Sequence, residues 1–308
     1  MTHVSELGEF LRLRRAALQP EDVGVVGYGV RRVPGLRREE IAMLAGVSTT
    51  YYTRLEQGQS VNASESVIQS IARALNLTAD ERIHLFDLAR ARSAPRRRPP
   101  TKPDRARRGT LRLIHSLPNT PAVIIGRRSE VLGWNALGHR LVAGHLDVDS
   151  PAHPETRPNT TRMMFLDDHT RELYGRWDEE AERAVSSLRV LAAKDPDDIE
   201  MTALVGELCL KSPEFGRLWA RHPVTACVSG AKYFQHPDVG DFELAFEVLS
   251  PPDEPMHRVL LFTPEPGSAA ERAVQLLARE VELAEDAEQW PRGERASDRT
   301  AESLDRMP

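Results

Sequence analysis

The run REEIAMLAGVSTTYYTRLEQG, Arg38 to Gly58, constrains this chain more than any other stretch. It reads as two short helices with a tight turn between them. Ile41, Leu44 and Ala45 fall on the inner face of the first helix. Ala45, Gly46 and Val47 make the turn, where Gly46 can take a positive φ without a Cβ clash. Ser48 stands at the N-cap of the second helix. Tyr52 and Leu55 share that helix's buried side, which leaves Thr49, Thr50, Tyr51 and Arg54 on other faces. Gly58 sits where a glycine closes a helix. This spacing is that of a helix-turn-helix, whose second helix enters the DNA major groove. The alternative is an ordinary helical hairpin with a glycine turn.

Charge supports the first reading. The net charge of −5 hides an asymmetry: residues 1–112 carry 20 Lys and Arg against 12 Asp and Glu, and the remainder is strongly acidic. A basic front fits a DNA-binding head joined to a part that stays off DNA. The length of 308 residues allows two domains. No apolar run approaches the roughly 20 residues that span a bilayer, and the N-terminus has no apolar leader, so a cytoplasmic protein is expected. Cys209 and Cys227 form no C-x-x-C pair and read as buried thiols, with a redox pair as the alternative. The ten histidines are scattered without zinc spacing, so no metal and no cofactor is expected. Neither G-x-S-x-G nor a P-loop is present, and Asp167-Asp168 and Asp197-Asp198 read as helix starts, so no catalysis is expected.

Along the chain, residues 5–17 read as a helix capped by Ser5. A Gly/Pro/Val-rich segment follows, with Arg31 and Arg32, and Arg37 and Arg38 just beyond it. These four arginines are either a solvated loop or phosphate contacts flanking the reading helix. Two more helices carry apolar stripes: Val67, Ile68, Ile71, Ala72 and Leu75, then Ile83, Leu85, Phe86, Leu88 and Ala89 behind a Thr78/Glu81 capping box. That completes an all-α five-helix domain over 1–91. Residues 92–109 are Pro/Arg-rich and read as an extended linker, a tether that can also touch DNA.

Residues 110–285 read as an α+β domain. Ala122–Gly126 and Val131–Trp134 form a hairpin. A helical middle follows, including 177–193 and 197–210, with Ile199, Leu204, Val205 and Leu208 as the second helix's stripe. Short strands are expected at 225–229, 232–236, 242–249 and 258–262. A last helix from Ser268 carries Val274, Leu277, Val281 and Ala284, which either pack on the domain's own sheet or form a dimer interface. Residues 286–308 are polar and expected to be disordered.

At the level of motif, the head resembles the XRE-type, lambda-repressor-like helix-turn-helix family. The wider run RRVPGLRREEIAMLAGVSTTYYTRLEQG is similar to the MmyB-like branch of bacterial transcription regulators. The runs GWN, MMFLDDHTRELYGRW, LKSPEFGRLWARHPV, KYFQHPDVGDFEL and TPEPGS resemble the C-terminal domain of the same regulators. The resemblance implies a PAS-like ligand-binding domain holding a fatty-acid-like molecule, and a regulator that binds double-stranded DNA; one such head buries too little surface for selective binding, so a homodimer is expected. The chain departs from the family after LEQG, where several arginines are usual and Gln59-Ser60-Val61-Asn62 stands.

Carried onto this sequence, the resemblance makes Arg38 a backbone anchor, Ser48 a cap near a phosphate, and Thr49 and Thr50 base-edge contacts. Arg54 is placed to read guanine in a bidentate way, or to pair with Glu56 or Glu40; Tyr51 is placed on sugar or phosphate. The ligand pocket is expected between sheet and helices. Trp134, Phe165, Trp177, Trp219, Phe234 and Phe246 are candidates to line it, or plain core. Arg189 is placed to meet a ligand carboxylate, or to stand solvated.

Overall fold

The computed structural model describes residues 5–25, 35–59, 63–91, 104–225 and 228–289. Arg31, Arg32, Cys227 and most of the 92–109 linker lie outside them. The head holds α1 (Glu6–Ala17), α2 (Arg38–Ala45), α3 (Thr49–Glu56), α4 (Glu65–Ala74) and α5 (Ala79–Ala91). Local chemistry sets their ends. Ser5 Oγ accepts from the Gly8 N–H at 3.1 Å, and Ser48 Oγ from the Tyr51 N–H at 3.1 Å. Thr78 and Glu81 cap α5 reciprocally. Gly46 turns the chain at φ +68°. Phe10, Leu11, Ile41, Tyr52, Leu55 and Ile71 fill the core. A Cβ on Gly8 would meet the Glu56 carbonyl oxygen at 2.1 Å, so only glycine lets α1 approach the end of α3 this closely.

Two stripes differ from expectation. Leu44 is 37% exposed, and the smaller Ala42 is buried instead where α2 packs on α4. Ile83 is 58% exposed, while His84 is buried edge-on against Phe10 at 5.2 Å. The reason is tertiary: the second domain covers the His84 side of α5.

That domain opens with α6 (Arg108–His115), β1 (Ala122–Ile125), β2 (Val131–Trp134) and α7 (Ala136–Ala143). The helices α8 (Thr160–Leu166), α9 (Asp168–Leu173), α10 (Trp177–Lys194), α11 (Ile199–Lys211) and α12 (Pro213–Arg221) follow. The chain returns through β3 (Ser229–His236), β4 (Gly240–Leu249) and β5 (Arg258–Thr263) to α13 (Ala269–Gln289). The five strands form one antiparallel sheet in the order β2-β1-β5-β4-β3. Of the strand expected at 225–229, Thr225 is outside a strand and Ser229 opens β3, while residues 226 and 227 lie outside the described residues.

Alternation decides which side chains face the helices. Phe242, Leu244 and Phe246 of β4 point inward, as do Val123 and Ile125 of β1. Ile124 and Leu132 face the other way, against Ile114 of α6. Asn135 fastens that side: its Oδ1 accepts from the Ala122 and Gly138 N–H groups, and its Nδ2 donates to the carbonyls of Ile114, Leu117 and Thr120.

The boundaries also move. Asp104 accepts from Arg127 and pairs with His257, so the ordered domain begins inside the expected linker. Helix α13 runs to Gln289, past the expected start of disorder. Its Val274 and Leu277 pack on the domain's own sheet and α7, while Leu276 and Leu283 are exposed. Cys209 is exposed rather than buried, and Ile199 is 82% exposed, because α11 buries Met201, Leu204 and Leu208 instead.

Candidate functional site

Helix α3 is held by a buried carboxylate. Glu56, in the last turn of α3, is 3% exposed. Its two oxygens accept from Arg15 of α1, each at 2.9 Å, and Oε1 also accepts from Arg38 of α2 at 2.8 and 3.0 Å. Arg15 donates as well to the Leu36 carbonyl at 2.7 Å. One carboxylate therefore ties three helices together. Burial alone would raise the Glu56 pKa; the hydrogen bonds and charges of Arg15 and Arg38 outweigh it and hold the carboxyl below its usual range. Helix sequence spacing did not reveal this clamp, because its partners lie 18 and 41 residues away.

The clamp changes the roles of two arginines. Arg38 spends its Nε and one Nη on Glu56, with 43% of its side chain exposed, so it braces α3 as well as facing outward. Arg54 meets no carboxylate among the described residues. Glu56 is occupied by Arg15 and Arg38, and Glu40 accepts from the Arg37 N–H at 2.6 Å. Arg54 therefore stands exposed on the same helix as exposed Thr49 and Thr50, while Tyr51 is half-buried and Ser48 caps.

In the second domain, a cavity of about 140 Å³ lies between the inner sheet face and helices α7 to α10. Val123, Ile125, Val131, Val248 and Leu260 form its apolar floor, and Met163 and Met164 its roof. One side is polar. Glu180, 3% exposed, pairs with both Arg183 and Lys232. Arg183 donates to the Ala231 carbonyl at 3.1 Å, and Arg258 donates to Ser187 Oγ. Lys232 lies 4.8 Å from the centroid of the Phe246 ring. Two cations, Arg183 and Lys232, thus meet the Glu180 carboxylate at the cavity wall, and Arg258 lines the same cavity.

The structure divides the expected pocket residues. Trp134 and Phe246 line the cavity. Phe234 is packed between Phe242 and Phe262. Phe165 sits edge-on to Phe215 and Trp177, and Trp219 stacks on Phe215, in a separate core made by α8, α10, α11 and α12. Helices α11 and α12 draw these rings away from the sheet. The polar lining went unread, although the signal was present. Lys232 shares a strand face with Phe234, and Arg258 with Leu260 and Phe262. A cation at an inward strand position is the pattern that could have found them.

Arg189 belongs to neither expectation. It is 3% exposed at the junction of the two domains. Its guanidinium lies 3.9 Å from the Trp219 ring centroid and donates to His222 Nδ1 at 3.0 Å and to the Trp219 carbonyl. From the head, Arg14 donates to the His222 carbonyl at 2.7 Å. Ala193, Val190 and Val224 join the head's own core. Burial first, then Arg189, pushes the His222 pKa down to about 3; burial and Arg189 also lower His84, to about 4. Both imidazoles are therefore neutral near pH 7.

Two family models match this chain. A helix-turn-helix domain covers residues 6–85, and the MmyB-like transcription regulator ligand binding domain covers residues 106–277. Both are regulator domains, not enzyme families. Among curated proteins none matches. Among the described residues, no helix is long and apolar enough to cross a membrane.

Proposed function

Since the chain belongs to the MmyB-like transcription regulators, DNA-binding proteins with a ligand-binding domain, we propose that it acts in the cytoplasm as a one-chain sensor and reader. Thr49, Thr50 and Arg54 read base edges. Ser48, Tyr51, Arg37 and the exposed part of Arg38 contact the backbone, with Arg31 and Arg32 beside them. The C-terminal domain is PAS-like in this reading, which its chain order of two strands, helices and three strands supports. The ligand has an apolar body and an anionic end, as a fatty acid does. The apolar floor and the presence of Arg183 and Lys232 at the wall support this choice. A cavity of about 150 Å³ holds benzene, so a long acyl chain requires α8 to α10 to part from the sheet.

One observation carries the sensing role: α10 touches both the cavity and the core of the head. Its Glu180, Arg183, Ala184 and Ser187 line the cavity, and its Arg189, Val190 and Ala193 meet the head. A ligand that shifts α10 biases how the head is held, and so the population competent for DNA. A single head buries too little surface for selective binding, so the reading includes a homodimer. Exposed Leu276 and Leu283, seven residues apart on α13, are its proposed contact.

Native mass spectrometry of the purified full chain tests the ligand. An apolar carboxylate should co-purify with the protein and be lost or reduced about tenfold in Lys232→Ala. A clean apo mass after loading with medium-chain fatty acids contradicts the reading and leaves a domain that serves only dimerisation.

A further inference from the structure

We propose that His145, Asp167 and His169 form a binding site for a divalent transition-metal ion of the zinc class at the rim of the C-terminal domain. His145 follows α7, Asp167 joins α8 to α9, and His169 lies in the first turn of α9. Their donor atoms all lie within 4.8 Å of one another. His145 Nε2 stands 3.2 Å from Asp167 Oδ2, and the two imidazole rings stack with centroids 4.0 Å apart. Metal–ligand bonds of roughly 2.0–2.2 Å in a tetrahedron place donors roughly 3.3–3.5 Å apart, which small side-chain rotations reach.

A plain His145–Asp167 ion pair accounts for part of this cluster and not the rest. Nδ1 of His169 is buried and has no hydrogen-bond partner, which is rare for a polar atom. Asp167 is held in place by the neighbouring Thr170. Its Oδ2 accepts from the Thr170 N–H at 2.9 Å and the Thr170 hydroxyl at 2.5 Å, while Oδ1 accepts no hydrogen bond from the described residues. A carboxylate pinned in this way is oriented as metal-ligating carboxylates are. The nearby His139 and His236 are engaged elsewhere, by the Leu146 and Arg140 carbonyls. The site thus has three protein ligands and an open position.

Two imidazoles and one carboxylate suit zinc and its first-row neighbours, not calcium or magnesium, which take oxygen ligands. The ion would tie the α7 side of the cavity, through neighbouring Val142, to the α8–α9 side that carries Met163, Met164 and Thr170. The site's existence does not depend on what the cavity binds. No helical His-x-x-x-His spacing announces it, because its ligands come from two segments 22 residues apart in the chain.

Zinc titration of the chelator-treated full chain, in a Cys209→Ser background, tests the site by competition with a chromophoric chelator. One equivalent should bind, and His145→Ala and His169→Ala should each weaken it at least tenfold. Asp167→Asn keeps an N-cap acceptor and should weaken it too. Zinc should raise the melting temperature of the parent and not of His145→Ala, with circular dichroism verifying that each variant folds. Zinc binding that is absent in the parent, or unchanged in folded His145→Ala and His169→Ala, overturns the proposal.

Discussion

The two domains each bury a glutamate against two cations, and only one of them leaves a hole beside it. In the head, Glu56 meets Arg15 and Arg38 inside a filled core. In the C-terminal domain, Glu180 meets Arg183 and Lys232 at the wall of a cavity of about 140 Å³. The same ionic grouping thus does different work. Bonded to α1 and α2, it ties three helices together and sets how α3 is presented. Beside a void, it presents cations that a ligand's charged end can meet, at a lower structural cost of change.

The sharpest way to break that comparison is to remove each carboxylate. Glu56→Ala strands Arg15, whose side chain is 11% exposed, and should destabilise the head by about 3–5 kcal/mol in denaturant unfolding. Glu180→Ala should cost clearly less, because Arg183 is 33% exposed and Lys232 borders the cavity. Equal losses would mean that the void makes no difference.

Next in size is the reading helix that the brace exposes. Arg54→Ala should remove about 1–3 kcal/mol of discrimination between promoter and random DNA. Its melting temperature should stay unchanged, since the side chain touches no carboxylate among the described residues. Full selectivity in that variant would relocate the reading surface.

The smallest effect is expected from mild acid, and it separates brace from junction. His84 and His222 have pKa values lowered from 6.5 to about 4 and about 3. Their contribution is complete above pH 6.5 and is lost as pH falls toward those values. The Glu56 pKa is lowered from 4.5, so its contribution persists until the pH falls below that value. Amide exchange at pH 5 should therefore report loosening where α5 meets α10, with α3 still protected. Simultaneous loosening of both would contradict the assignment.

Much of this was legible in the sequence where the cause is local. Ser5, Ser48 and Thr78 cap helices as their positions announce, and Gly46 takes the left-handed conformation its turn requires. The strand expected at 242–249 lies within β4. What was not legible depends on partners distant in the chain. Periodicity offered Ile83 and Ile199 to a core, whereas the second domain covers His84 and leaves Ile83 in solvent. The aromatics were visible as apolar, but nothing local says that α11 and α12 gather Phe165 and Trp219 away from the sheet. Arg189 looked like a surface arginine because its partners, Trp219 and His222, lie 30 and 33 residues on.

Helix α10 runs from the cavity to the head, and a side chain that fills the cavity from α10 probes whether the two are coupled. Ala184 lines the cavity and makes no contact with the reading helix. The affinity of Ala184→Phe for the promoter fragment upstream of its own gene, measured at fixed salt beside the parent protein, is the decisive quantity. The account predicts a change of at least about fivefold, the lower end of ordinary allosteric coupling, with α3 intact by amide exchange. An unchanged affinity in a folded variant whose cavity is filled would contradict it.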